Sequence, residues 1–519
     1  MNIRNKFLAV ANLFKWLLLM FIRNISSPLS CLLTDNPRTA GVSRASLLRG
    51  GLVSASLGLF LIMMMTSCKK FVSVQPPVTS LVSESVYAAN STAASAVTGI
   101  FITMAKNGIG GGNYGISVLS GLSADELKLS ASSPDVILNH SYINDLQSKD
   151  GSFLWSDLYN CIYQANSAIA GISASQGVTP SIYQQLVGEA KFIRAFCYFY
   201  LVNIYGDVPL VLTVDYKINA TISRTSKEDV YQQIVEDLKD AQSLLSDDYL
   251  TPAGVSTTSK VRPNKAAAIA FLARVYLYQQ KWSNAEAEAT TVIGNTNYSL
   301  LTNLSGVFLS TSKEAIWQLE KPNNGFNTAD GATFLTSYLA GGGPKAAYPI
   351  TLQDSLALGF EPGDLRKTNW TKSLTVGSKT YYYPFKYKLN QGTPATEYPV
   401  ILRFGEQYLI RAEARAQQGN MSGAQADLNM IRNRAGLTGF TTNSQASLLS
   451  AIQRERRFEL FTEYGHRWFD LKRRGSIDSL MQFVAPPKGS SWKTTAQLFP
   501  IPFTEIKADP KLTQNPGYN

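Results

Sequence analysis

Two segments that lie 139 positions apart carry the same spacing of small and apolar residues, and this internal repeat constrains the fold most strongly. FLARVYLYQQKWSNAEAEATTVI superposes on IRAEARAQQGNMSGAQADLNMI, so that Trp282 matches Met421 and Ala285 matches Ala424. Small residues at three- and four-residue steps let two antiparallel helices pack closely, as in tetratricopeptide-type hairpins. The copies are too far apart for a tandem array, so we predict a mainly α scaffold with a long insertion between them.

Other segments also have helical periodicity. Residues 154–172 place apolar side chains at three- and four-residue steps, and residues 192–204 are apolar almost all round until Gly206. A helix that is apolar on every side belongs in the interior of a sizeable protein. Thr225 and Glu228 stand at the spacing of a capping box, which predicts that another helix begins there.

The segment between the two repeat copies has a different composition. Residues 293–397 are rich in Gly, Thr, Asn, Pro and Tyr and contain the strand-like stretches EAIWQLE and KTYYYPFKY. We therefore predict a loop-rich, short-strand insertion at 293–397 in a helical scaffold of residues 85–292 and 398–475. Residues 68–519 are expected to form a single domain.

The N-terminal region reads as an export signal. Arg44 and Arg49 precede a short apolar run at residues 51–65, and two small residues lead to Cys68. A basic region, a short apolar region and small residues before the cleavage point make up a secretory signal. The run is shorter than the roughly 20 residues that span a bilayer. The pattern predicts a lipoprotein signal at residues 1–67 with Cys68 as the lipidated residue; the alternative is an anchor helix that stays attached.

Removing the signal changes the charge of the chain. Residues 1–43 have no place in a normal signal, and we expect that the start codon is assigned too far upstream. Residues 1–67 hold seven basic residues and one acidic residue, so their removal lowers the formal net charge from +11 to +5. The remaining chain has no basic stripe interleaved with aromatic residues, which argues against nucleic-acid binding. Cys161 and Cys197 lie in helix-like apolar patterns, where buried unpaired thiols are common, although a bridge between them remains an alternative.

Several blocks of the chain together resemble the SusD/RagB family, the outer-membrane nutrient-binding lipoproteins of Bacteroidetes. Each block alone is modest support, but all of them occur in family order behind the candidate lipidation site. The blocks are CKKFVSVQPP after the signal, GEAKFIRAFCYFYLVNIYGDVPLV at 188–211, RPNKAAAIAFLARVYLYQQKWSNAEAEA at 262–289, YPVILRFGEQYLIRAEARAQQG at 398–419, ERRFELFTEYGHRWFDLKR at 455–473 and QLFPIPFTEIKADPKLTQNPGY at 497–518.

The resemblance implies a tetratricopeptide-based fold and a role in nutrient capture. Members of the family sit lipid-anchored on the cell surface as the lid of a SusC-like TonB-dependent transporter, and they capture oligosaccharides or sometimes peptides. No catalysis, metal or cofactor is expected. Lys69 and Lys70 differ from the acidic residues that follow the cysteine in many surface-exported relatives, which keeps a periplasm-facing position open as an alternative.

A sugar ring has apolar faces and a polar rim, so its binding site needs aromatic platforms edged by polar groups. The resemblance implies that loops build the ligand face, and the matching stretches here are 122–147 and 323–350. The candidate contact residues are Asn139, His140, Tyr142, Asn144, Phe326 and Tyr338. The alternative interpretation is that each tyrosine packs its loop onto the scaffold.

Two other patterns resemble functional motifs, but we interpret both as structural. His466 and Asp470 stand four residues apart, but charged residues at helical spacing usually form structural networks. We therefore predict that the charged residues of this block, Glu455, Arg456, Glu459, Arg467 and Asp470, hold the C-terminal helix to the scaffold. GGGNYG at 110–115 satisfies a dinucleotide-binding pattern but follows a helix-like stretch instead of a strand.

Two alternative functions use the same chain. The first is a peptide-binding lid, which a charged, extended groove would favour. The second is a glycoside hydrolase in the insertion, with carboxylates such as Asp354 and Asp364 as acid and base. A hydrolase requires two pocket carboxyls within about 10 Å of each other.

Overall fold

Helical hairpins make up most of the chain in the computed structural model, which describes residues 83–151, 153–320 and 327–518. Residues 80–519 form one compact unit. The helices before the insertion are α1 (Ser83–Val86), α2 (Asn90–Lys106), α3 (Ile116–Ser123), α4 (Val136–Ile143), α5 (Phe153–Ala174), α6 (Pro180–Tyr205), α7 (Tyr216–Asn219), α8 (Lys227–Leu244), α9 (Lys265–Tyr278) and α10 (Trp282–Ile293). The mainly α prediction is confirmed.

The remaining helices belong to the insertion and the C-terminal part. They are α11 (Ala329–Leu339), α12 (Asp354–Ala357), α13 (Leu365–Trp370), α14 (Phe404–Gln417), α15 (Met421–Arg434), α16 (Gln445–Leu460), α17 (His466–Arg473), α18 (Ile477–Val484) and α19 (Phe503–Ala508). Single 3₁₀ turns lie at Gly108–Gly110, Leu304–Gly306, Pro486–Lys488 and Thr494–Gln497.

The strands are short. They are β1 (Leu127–Leu129), β2 (Val208–Pro209), β3 (Arg224–Thr225), β4 (Tyr249–Leu250), β5 (Ser256–Thr257), β6 (Ala315–Gln318), β7 (Ile350–Leu352), β8 (Thr371–Val376), β9 (Lys379–Pro384) and β10 (Val400–Arg403). In the described part of the chain they form five two-stranded antiparallel ladders, which pair β1 with β7, β2 with β3, β4 with β5, β6 with β10 and β8 with β9.

The long pair α5 and α6 forms the centre of the first part of the scaffold. The ring of Trp155 lies 5.0 Å from that of Tyr205, and Arg194 Nη1 donates to Asn166 Oδ1 at 2.9 Å, so the two helices run antiparallel. Every residue of α6 from Phe192 to Tyr205 is buried. The prediction of an interior helix that is apolar all round is confirmed.

Cys161 and Cys197 lie on α5 and α6, respectively. Both are buried free thiols in the structure. Burial, together with the neighbouring Cys161 thiol, raises the pKa of Cys197 well above its ordinary value.

The predicted repeat is two helical hairpins at the same offset. Helix α9 begins at Lys265 and α14 at Phe404, and the second helices begin at Trp282 and Met421, so both pairs of starting points are 139 residues apart. Ala285 and Ala424, which occupy equivalent positions, are fully buried. Small side chains at these sites let the helices of each hairpin approach closely.

Helix α8 starts one residue later than the capping box at Thr225 and Glu228 predicts. Ser226 is the N-cap, and its Oγ accepts a hydrogen bond from the Asp229 backbone N–H at 3.1 Å. Thr225 cannot be the N-cap because it pairs with Val208 in the β2–β3 ladder. Ser226 and Asp229 have the same capping-box spacing, so the prediction was wrong by one residue.

The insertion is more ordered than its composition predicts. The strand predictions are confirmed by β6 and β9, but the expectation of loops missed α11. Thr328 caps this helix, because its Oγ1 accepts a hydrogen bond from the Gly331 N–H at 2.8 Å. Gly331 within the helix weakened the helical signal, since glycine is a poor helix former.

The charged residues of the block near the C terminus are paired, as predicted, and all of them except the half-buried Arg467 are buried. Its ion pairs hold α16 and α17 against the rest of the protein. The pairs are Arg366 with Glu455 and Glu459, Arg456 with Asp470, and Arg467 with Asp125.

Cys68 lies outside the described residues, as does Phe326. In the part of the chain that the structure describes, no helix combines the length and the apolar character needed to cross a membrane.

Candidate ligand-binding face

The two stretches that were predicted to carry ligand contacts lie side by side. Strand β1 belongs to the first and pairs with β7, in which Leu129 faces Ile350. Beyond the ladder, the Ser130 N–H donates to the carbonyl oxygen of Pro349 at 2.7 Å. The loop after α3 and the central insertion therefore meet at one surface, although they are separated by about two hundred residues of chain.

The GGGNYG segment joins this surface through one backbone and one side-chain hydrogen bond. Gly112 N–H donates to Asp330 Oδ1 on α11 at 2.8 Å, and Thr333 Oγ1 donates to Asn113 Oδ1 at 3.0 Å. A Cβ on Gly111, whose φ is +106°, would lie 2.4 Å from Asp330 Oδ1. The glycine is required here because only a residue without a side chain lets the loop approach α11 so closely.

A strip of aromatic rings runs along β9. Alternate residues of a strand point to the same face, so Tyr381 and Tyr383 share one side of β9, and Phe385 follows directly after its last residue. Tyr338 on α11 covers this side, with its ring centroid 5.6 Å from that of Tyr383 and 6.2 Å from that of Phe385. We call these four residues the aromatic strip.

The strip is partly open to solvent. Tyr383 is fully buried, whereas Tyr338, Tyr381 and Phe385 are half-buried. The glycine-rich loop after α11 reaches the strip at Gly343, where a Cβ would lie 3.6 Å from Tyr381 Cε2 and 3.3 Å from Val376 Cγ2. Part of the surface of each half-buried residue therefore remains accessible to solvent.

Two lysine ammonium groups lie over rings of the strip. Lys379 Nζ lies 5.1 Å from the Tyr381 ring centroid, and Lys372 Nζ lies 5.0 Å from that of Phe385. Each lysine donates hydrogen bonds only, and each is on a strand of the β8–β9 hairpin. Aromatic rings with lysine donors close to them offer both kinds of surface that a sugar needs, apolar and hydrogen-bonding.

Comparison with known proteins matches separate parts of the chain to two family models. The model described as the SusD family covers residues 358–518. A second model, described as starch-binding and associating with the outer membrane, covers residues 102–277. The chain belongs to the SusD/RagB family.

Relatives across the SusD/RagB family support this assignment over most of the chain. The SusD-like protein P25 of Formosa agariphila is 23% identical over 89% of this chain and 97% of its own length. The starch-binding protein SusD of Bacteroides thetaiotaomicron is 23% identical over 67% of this chain and 75% of its own. A solved structure of a laminarin-binding SusD-like protein has the same fold, with a TM-score of 0.68, 24% identity and coverage of 83% of this chain and all of that one.

Four of the predicted contact residues lie on or just after α4 of this SusD/RagB protein. The Asn139 amide donates to the Ser133 and Asp135 carbonyls, both at 2.8 Å, and the Asn144 amide donates to the Ser123 carbonyl at 3.0 Å. These bonds stabilise the ends of α4. Contact of either asparagine with a ligand stays a prediction.

His140 and Tyr142 also have partners within the protein. His140 Nδ1 lies 2.6 Å from Asp150 Oδ2. Tyr142 is half-buried beneath Lys488, whose Nζ lies 5.1 Å from the ring centroid, and burial raises the pKa of the Tyr142 hydroxyl. Their roles in ligand binding likewise remain predictions.

Tyr338 belongs to the aromatic strip, whereas Phe326 lies outside the described residues. Sequence reasoning missed Tyr381 and Tyr383 as candidates, although it identified KTYYYPFKY as a strand. The signal was available, because aromatic residues at alternate positions of a strand lie on one face. Helix α11 determines which face of β9 is open to solvent. The packing of α11 on β9 cannot be read from the local sequence of either element.

The carboxylates of the hydrolase alternative do not share a pocket wall. Asp364 is buried, caps α13 and binds the guanidinium of Arg366 through both oxygens. Asp354 is exposed and pairs with Lys128 at 2.6 Å. No group of three or more His, Cys, Asp or Glu side chains that could hold a metal ion occurs in the described residues.

Proposed function

We propose that this protein binds oligosaccharides at the outer membrane and delivers them, chemically unchanged, to a SusC-like TonB-dependent transporter. The observation that carries the proposal is the aromatic strip, in which half-buried rings lie close to the ammonium groups of Lys372 and Lys379. Stacking on aromatic rings binds the apolar faces of a sugar, and it needs no acid, base or metal.

The names of the relatives support sugar as the ligand. One family model is described as starch-binding, one relative is a starch-binding protein and one solved neighbour binds laminarin. Both ligands, starch and laminarin, are neutral glucose polymers. The proposed ligand of this chain is accordingly an oligosaccharide.

We place the contact at Tyr338 and Tyr381, because both rings are half-buried and lie on the same side of β9. The loop residues proposed from the sequence alone are further candidate contacts. They are Asn139, His140, Tyr142, Asn144 and Phe326.

Isothermal titration calorimetry with a panel of starch- and laminarin-derived oligosaccharides tests the proposal. Tyr381→Ala removes an accessible ring and is expected to weaken binding about tenfold, because an aromatic contact contributes roughly 1 kcal/mol or more. Tyr163→Ala is the matched control, since Tyr163 is an exposed tyrosine on α5, outside the insertion. Unchanged affinity in Tyr381→Ala, or equal losses in both variants, contradicts the proposed site.

We further propose that Cys68 carries the lipid anchor. The short apolar run and the small residues before Cys68 support this assignment. Metabolic labelling with palmitate is expected to mark the wild-type protein and not Cys68→Ala. Equal labelling of both proteins contradicts the anchor.

The transporter partnership has its own test. Mild-detergent purification of the native protein is expected to bring down a TonB-dependent transporter from the same cells. Its absence from the purified material, with the lipid anchor intact, contradicts the partnership and leaves sugar binding unaffected.

A further inference from the structure

A polar cavity of about 650 Å³ opens at the C-terminal end of α6. Its walls come from the end of α6, the β2–β3 ladder, the start of α8, helix α17 and the C-terminal segment of the chain. Asn515 fastens that last segment, because its amide donates to the carbonyls of Tyr205 and Phe499, both at 2.8 Å. The cavity is therefore a built feature of the scaffold.

Three cationic side chains line the cavity without a carboxylate partner. Lys472 Nζ donates to the Asn203 carbonyl at 2.5 Å, and the Arg224 guanidinium donates to the Asp207 carbonyl and to Asn515 Oδ1 at 2.7 and 2.6 Å. Lys227 is the third. Among the described residues, no carboxylate oxygen lies within 4.0 Å of these three cationic groups.

The pKa of Lys472 indicates that nearby negative charge does not compensate its positive charge. Burial, followed by repulsion from Lys227, lowers the pKa of Lys472 to about 7. Arg473 on the same helix is different, since Glu413 and Asp470 each bind it at 2.7 Å. These carboxylates are paired with Arg473, and Lys472 has no carboxylate partner of its own in the described part of the chain.

The two carboxylates of the cavity wall, Asp207 and Glu228, are both exposed. Asp207 Oδ1 already accepts the Lys227 backbone N–H at 2.8 Å, at the start of α8. The N-terminal end of a helix adds partial positive charge. Three cations thus face two carboxylates that water can solvate.

We propose that this cavity binds a small organic oxyanion, a phosphate or sulfate monoester, between Arg224, Lys227 and Lys472. Guanidinium and ammonium groups are the usual partners of such oxygens. The volume lies in the range of small-molecule sites and far exceeds what one inorganic anion fills, so the ester carries a body of sugar size. The site shares none of the aromatic strip's residues and is a second ligand site on the protein.

Calorimetry on the full mature protein tests the site with glucose 6-phosphate and glucose 6-sulfate as probes. Glucose serves as the neutral comparison and inorganic phosphate as the free anion. We expect saturable binding of at least one ester and none of glucose at the same concentration. Lys227→Gln is expected to weaken ester binding about tenfold, as for loss of one charged hydrogen bond.

Lys239→Gln is the matched control, because it removes one exposed positive charge from the same helix at a position outside the cavity. It is expected to leave ester affinity unchanged. Arg224→Lys keeps the charge but loses the planar fork, and a loss in this variant separates a defined site from general attraction. Circular dichroism of each variant confirms that it is folded.

Three outcomes overturn the proposal. The first is no binding of either ester at millimolar concentration. The second is equal weakening in Lys227→Gln and Lys239→Gln, which would indicate non-specific attraction. The third is inorganic phosphate binding as tightly as the esters, which would assign the cavity to a free anion. None of them bears on the binding of neutral oligosaccharides at the aromatic strip.

Discussion

Glu126, the residue before β1, is a buried carboxyl with one oxygen left without a partner. Its Oε2 accepts the Thr462 N–H at 3.3 Å, while Oε1 has no hydrogen bond. Burial, together with the neighbouring charge of Asp125, raises the pKa of Glu126 to about 7. At neutral pH, burial of this carboxyl group lowers the free energy of unfolding, because its charge or its unpaired oxygen is removed from water.

The pKa of Glu126 is about 7 in the folded state and about 4.5 in the unfolded chain, so the folded state binds the proton more tightly. The contribution of protonated Glu126 to the free energy of unfolding is therefore complete below about pH 4.5 and is lost as the pH rises through about 7. Glu126→Gln is neutral at all pH values and keeps the acceptor for Thr462. We expect it to raise the free energy of unfolding at pH 8 by up to about 3 kcal/mol and to change it little at pH 4.5.

Denaturant unfolding at the two pH values measures this difference. Glu236→Gln, at an exposed position of α8, is the control and is expected to have little effect at either pH. A stabilisation of Glu126→Gln that is the same at both pH values would show that the titration of Glu126 is not its cause.

The two helical hairpins α9–α10 and α14–α15 have equivalent positions along their sequences. Ala285 and Ala424 occupy matching buried positions, while Ala287 and Ala426 occupy matching exposed ones. We expect Ala285→Leu and Ala424→Leu each to destabilise the protein by about 1–3 kcal/mol, because a larger side chain forces the packed helices apart.

Leucine at Ala287 or Ala426 is expected to change stability by less than about 0.5 kcal/mol. Thermal unfolding of the four variants makes the comparison. Similar effects at buried and exposed positions would contradict the equivalence of the two hairpins.

The helices could be predicted from the sequence because their signal is local. Spacing alone located α5, α6 and the repeated hairpins. The start of α8 was wrong by one residue, because the decision between Thr225 and Ser226 depends on the β2–β3 ladder. Ladders and caps of this kind involve residues that are not neighbours in the chain.

The candidate site was less predictable for the same reason. Tyr338 was identified, but Tyr381 became a candidate only when α11 was seen to cover one face of β9. The β1–β7 ladder that joins the two loop stretches also connects distant parts of the sequence. Composition can indicate an aromatic loop region, but only the fold shows which rings remain accessible.

At the scale of the whole molecule, a buried ion network fastens the insertion to the scaffold. Arg403 at the end of β10 binds Glu459 on α16 at 2.6 Å, Glu463 at 2.7 Å and Glu314 at 3.1 Å. Arg434 at the end of α15 binds Glu314 at 2.9 Å. These cations hold the pKa of Glu459 well below its usual range despite its burial.

Arg403→Met leaves buried carboxylates without a counter-charge, and we expect it to lower the free energy of unfolding by about 3–5 kcal/mol. Asp247→Asn breaks the exposed pair with Lys265 and is expected to cost less than about 1 kcal/mol. Chemical denaturation of both variants gives the comparison. Equal costs would show that the network contributes no more than a surface pair.

A crystal structure of the mature protein with its tightest-binding oligosaccharide tests the central claim most directly. We predict a sugar ring stacked on Tyr381 or Tyr338, with hydroxyl groups directed toward Lys372 or Lys379. An oligosaccharide bound only at a surface remote from β9, with the aromatic strip empty, would contradict the claim.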